Sequence, residues 1–104
     1  MNRMITVTIE GMSVFRRSAS VVARRVGEES ILVPVRDNVG DLDFVYTLSP
    51  VAARIWAMLD GIATVDSIGG VICAEYEVER DEAVADVAGF LADMTDVSLV
   101  TRVS

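Results

Sequence analysis

Few side chains in this sequence have types and spacing that could do chemistry: Cys73, the loop aspartates Asp37, Asp41 and Asp43, and the glutamates Glu75, Glu77 and Glu79. With no histidine, the chain has neither an imidazole base nor an imidazole metal ligand. One cysteine cannot build a zinc site or hold an iron–sulfur cluster. Cys73 lies mid-helix among apolar residues, where packing is the simpler role. Asp37, Asp41 and Asp43 suggest a calcium loop, but the twelfth position of that loop is Leu48 and not glutamate. Glu75, Glu77 and Glu79 read as a solvated face and helix-end charges, not as a paired acid and base. No phosphate-binding P-loop and no GxGxxG fingerprint occur. Neither catalysis nor a cofactor nor a bound metal is expected.

Charge narrows the choice of partner. Residues 1–60 hold seven arginines and seven carboxylates and are neutral. Residues 61–104 hold two arginines and nine carboxylates, so they carry the whole net charge of −7. A protein that reads DNA needs cations to displace counterions from phosphates. The helix that would read it sets Arg80 against Asp81, Glu82, Asp86 and Asp93, so nucleic acid is not an expected partner. No apolar run reaches the roughly 18 residues of a membrane span. The N-terminus alternates apolar residues with threonine, unlike a signal peptide. A single cysteine excludes an internal disulfide, and a cytoplasmic protein is expected.

With so little chemistry to position, the care spent on one junction stands out. In "YTLSPVAARIWAMLDG", Tyr46 and Leu48 end a strand, Ser49 is a preferred N-cap, and Pro50 suits the first helical position because its missing N–H has no partner there anyway. Val51, Ala52, Ile55, Trp56 and Leu59 share one face, and Gly61 is expected as an αL C-cap closing a helix over residues 50–59. Trp56 is assigned to the core.

Other elements follow from the same rules. Residues 20–26 and 31–35 read as a β-hairpin around Gly27–Ser30, with Pro34 marking the second strand as irregular, bulged or edge-like. Phe44–Leu48 is the third strand. A second helix starts from Thr64 as N-cap and runs to about Tyr76. Gly69-Gly70 inside it requires support from packing or the close passage of another backbone. A third helix begins near Arg80, with a stripe of Val84, Val87, Leu91 and Met94 and with Phe90 at its edge. Val97–Val103 alternates weakly, as a last short strand would. Met12–Ser20 reads as a connector. Ile5, Val7 and Ile9 alternate with polar residues, either as an arm that pairs with something or as a frayed end.

Three segments resemble the PqqD family: "VVARRVGEESILVPVR", "YTLSPVAARIWAMLDGIATVDSI", and "DEAVADVAGFLADM" with its Asp86-Val87 and Phe90-Leu91 pairs. The resemblance spans about Phe15 to Leu99, so residues 1–14 are an extension and residues 15–104 the PqqD-like domain. It implies an α+β, winged-helix-like fold: a three-stranded antiparallel sheet followed by a three-helix bundle. It also implies a non-catalytic chaperone of ribosomally made, modified peptides. Such a chaperone binds the leader of a precursor peptide and presents it to a modifying enzyme, often a radical S-adenosylmethionine enzyme. By the resemblance, the leader adds as a strand beside the third strand and lies on the third helix. The implied contacts are Phe44, Val45, Tyr46 and Thr47 on the strand, and Ala83, Asp86, Val87 and Phe90 on the helix. Backbone ladder bonds would give affinity, and pockets for alternate side chains would give specificity. The alternatives are an interaction subunit of another complex using the same edge, and an acidic winged-helix regulator.

Overall fold

The computed structural model describes residues 9–34 and 46–103. Their elements are β1 (Val14–Arg17), β2 (Val21–Val26), β3 (Glu29–Pro34), β4 (Tyr46–Leu48), α1 (Pro50–Ala57), β5 (Asp60–Thr64), α2 (Val65–Tyr76), α3 (Arg80–Asp96) and β6 (Val100–Arg102). They form two antiparallel sheets, ordered β2-β3-β4 and β5-β1-β6, with three helices. The class is α+β, with the expected hairpin, third strand and helices. The expected arm at Ile5–Ile9 falls largely outside the described residues. Ile9 itself is half-buried against the core.

The second sheet departs from the sequence reading. Residues 12–20 hold β1, where a connector was expected, and residues 60–64 form β5 beyond the expected helix stop. Helix α1 ends earlier, with Met58 as C-cap, and Gly61 lies in β5 with φ +83°. A glycine cap is not needed because Arg17 reaches over from β1. Its guanidinium donates to the carbonyl oxygens of Trp56 and Ala57, 3.0 Å each, satisfying groups that a helix end leaves open. Asp60 then fixes the start of β5, its carboxylate accepting from the backbone N–H groups of Ile62 and Ala63 at 2.9 and 3.0 Å. Those bonds, Ala63's first, hold the Asp60 carboxyl below the usual carboxylate range.

The helix starts follow local chemistry. Ser49 Oγ accepts from the Ala52 N–H and Thr64 Oγ1 from the Ser67 N–H, each at 3.1 Å. Helix α2 ends on Glu77 in the left-handed region, φ 57°. Buried residues from both sheets and all three helices form one core, including Phe15, Leu32, Trp56, Ile68 and Leu91. On the surface Arg54 and Glu75 make a two-pronged pair at 3.0 Å that ties α1 to α2. Each raises or lowers the other's pKa in the direction that keeps both charged. No helix of the described residues is long and apolar enough to cross a membrane.

Gly69 shows why the glycine pair is tolerated. A Cβ there would stand 2.6 Å from Val84 Cγ2 and 3.3 Å from Val84 Cα, so the α3 backbone passes close. At Gly70 the nearest atom would be the end of the Arg80 side chain, at 3.9 Å. Gly69→Ala should cost about 1–3 kcal/mol in overpacking, offset by up to about 1 kcal/mol of helix propensity. Gly70→Ala should be neutral or stabilising. Urea unfolding midpoints of the two variants check this, and a Gly69→Ala protein as stable as Gly70→Ala would contradict the close crossing.

Candidate functional site

Strand β4 is an edge: among the described residues it pairs with β3 alone. Which of its backbone groups face outward follows from the hairpin. Val26 and Glu29 flank the two-residue loop Gly27-Glu28, where Gly27 has φ +64°. In such a hairpin the flanking pair exchanges both of its hydrogen bonds, and bonded and non-bonded pairs then alternate along the strands. Glu29, Ile31 and Val33 therefore bond toward β2, while Ser30 and Leu32 bond toward β4. Their partners are Leu48 and Tyr46. Thr47, opposite Ile31, points its N–H and C=O to the open side.

The same alternation explains Pro34, which ends β3 opposite Val21. It sits at a non-bonded position relative to β2, so its missing N–H costs that ladder nothing. Strand β3, read from the sequence as irregular, bulged or edge-like at Pro34, is the central strand of its sheet, with the proline tolerated by position.

Beside the open edge lies a groove of about 590 Å³. Tyr46, Thr47 and Leu48 of β4 form one side, with Ser49 and Ala52 at the start of α1. Phe90, Asp93, Met94, Asp96 and Val97 form the other, along the C-terminal half of α3 and its cap. Phe90 is half-buried, packed on the core while lining the groove. An apolar channel beside an unpaired strand edge can accept an extended peptide: ladder bonds on one side, alternate side chains in the channel.

Of the eight residues assigned from the sequence, the structure brings Tyr46, Thr47 and Phe90 to this groove. Phe44 and Val45 lie outside the described residues. Asp86 is exposed but one helical turn before Phe90, and does not line the groove. Ala83 and Val87, also assigned from the sequence, are both 0% exposed. They occupy the centre of the stripe that packs α3 onto the core, and they offer no surface to a ligand. The sequence reading did not select Asp93, Met94, Asp96 and Val97. Their signal was spacing, since they follow Phe90 at i+3, i+4, i+6 and i+7. The glutamates expected on a solvated face include Glu75, which is engaged by Arg54.

Comparisons with known proteins bear on this arrangement. The family model described as "Coenzyme PQQ synthesis protein D (PqqD)" matches residues 29–100, more than half of the chain. The structure "TbiB1 in Complex with the TbiA(beta) Leader Peptide" is 28% identical, with TM-score 0.66, over 82% of this chain and 93% of that one. "Lasso peptide synthetase B1 complexed with the leader peptide" is 22% identical, with TM-score 0.68, over 83% and 95%, and at that identity it speaks to the fold. No curated protein sequence matches.

Proposed function

This chain belongs to the PqqD family, and we propose that it is a non-catalytic peptide chaperone: it binds the leader of a ribosomally made precursor peptide by strand addition and presents it to a modifying enzyme. The observation that carries the reading is the open Thr47 edge running beside the Phe90 groove. The similar structure with TbiB1 holds a leader peptide, which supports the ligand class. The enzyme served is a radical S-adenosylmethionine enzyme in the family's pattern, and the setting is the cytoplasm. Its part is binding and delivery, and no bond-making step is assigned to it.

Titration with leader segments from precursor genes encoded nearby tests this. Saturable binding should shift backbone amides at residues 46–49 and 90–97 and leave the β5-β1-β6 sheet unchanged. Absence of binding by every leader, or shifts confined to the other sheet, would overturn it. A folded partner protein that shifts the same residues when no leader does would favour the interaction-subunit reading.

A further inference from the structure

The groove is not uniform. Phe90, Met94 and Val97 make it apolar, but Asp93 and Asp96 stand in it at the C-terminal end of α3. Both are exposed, and among the described residues no basic side chain lines the groove and neither aspartate is in an ion pair. The last turn of α3 holds no basic residue either. A helix C-terminus is the negative end of the dipole and favours cations. Two carboxylates there work against the helix, where lysine or arginine would support it. A local rule broken without compensation inside a groove is a mark of a functional position.

We infer that this end of the groove seats a lysine or arginine side chain of the bound leader, which makes Asp93 and Asp96 specificity-determining residues. The inference rests on the peptide-binding reading above and narrows its ligand class. Spacing adds a second condition. Side chains on one face of an extended peptide recur about every 6.6 Å. From Phe90 to midway between Asp93 and Asp96 is about 4.5 residues, or about 7 Å of helix. A peptide running along α3 with an apolar side chain over Phe90 therefore brings the residue two positions away to the carboxylates. The preferred leader carries an apolar residue and a cation two apart, in either chain direction. Exposed charge pairs contribute modestly and weaken in salt, so the cation tunes selection and the apolar anchor and ladder supply most of the affinity.

The probe is the leader segment that shifts Phe90, synthesised with either lysine or glutamine two residues from its apolar anchor. Both peptides are titrated against wild type, Asp93→Asn, Asp96→Asn and the double variant, at low and physiological salt. At low salt the lysine peptide should bind wild type about three- to tenfold more tightly than the glutamine peptide. The double variant should lose that preference, binding the lysine and glutamine peptides alike. Its peptide-free melting temperature should equal or exceed that of wild type, because two charges opposing the dipole are gone. This pairing of higher stability with lower affinity is not what a purely structural role gives. Equal lysine preference in wild type and double variant overturns the cation seat and leaves the groove reading standing. If neither peptide binds wild type, the peptide-binding reading itself fails.

Discussion

Thr47→Pro should weaken leader binding by at least about tenfold and leave the fold nearly as stable as wild type. Tyr46→Pro, one residue away, should do the reverse and damage the sheet first. Thr47 directs its N–H to the open side of β4, so proline there takes nothing from the β3–β4 ladder. It removes one donor from an incoming strand, about 0.5–1.5 kcal/mol net, and its ring stands where that strand must approach. Tyr46 lies opposite Leu32 in a bonded pair. Proline at 46 removes a donor from the native sheet and leaves the partner's carbonyl unpaired in a partly buried place, a cost of about 1–3 kcal/mol. Circular dichroism melts and titration with one leader distinguish the two variants. A folded Thr47→Pro protein that binds as wild type would show that the β4 edge is not where the peptide adds.

That contrast was only half legible in the sequence. "YTLSP" shows a strand that stops at a cap, because Ser49 and Pro50 act through their own backbone and the next turn. Which strand residue faces out depends on the two-residue turn at Gly27-Glu28, some twenty residues earlier, propagated through β3. Thr64 and the close crossing at Gly69 were equally readable, since one is local chemistry and the other a glycine with no local reason to be there. Strand β1 was not. "VFRR" has neither alternation nor length, and its pairing comes from Thr64 on one side and Arg102 on the other. Tertiary pairing decides such short strands, and propensity does not. The Arg17 cap on α1 has the same origin: its carbonyl partners lie 39 and 40 residues away.

The buried stripe of α3 and the face that lines the groove lie one step apart around the wheel. Ala83, Val87, Leu91 and Met94 are spaced i, i+4, i+8 and i+11, the buried stripe of α3. Placing a peptide on Ala83 and Val87 put it on the face already used by the core. Phe90, Asp93 and Val97 share the neighbouring face, which the groove uses. Met94, at the boundary, belongs to both: it is 6% exposed and still lines the groove.

Phe90 and Leu91 turn that one step into a measurement. Leu91 is 0% exposed, and Leu91→Ala should cost about 2–5 kcal/mol of stability through lost burial and the cavity left behind. Phe90 is half-buried, with one part of the ring against the core and another toward the groove. Phe90→Ala should cost less stability, about 1–3 kcal/mol, because part of its surface is never removed from water in the free protein. Its effect on binding should be the larger one. Aromatic anchors at the centre of an interface commonly contribute more than their share of affinity, so a loss of about tenfold or more is expected for the leader. Leu91→Ala should bind within about threefold of wild type once affinity is referred to the folded fraction, because the residue reaches no ligand. Thermal melting and titration with a single leader at a temperature where both variants remain folded give the two numbers for each. Equal losses of affinity would mean that binding responds to core packing in general. No loss in Phe90→Ala would return the ring to the core and move the peptide elsewhere on the surface.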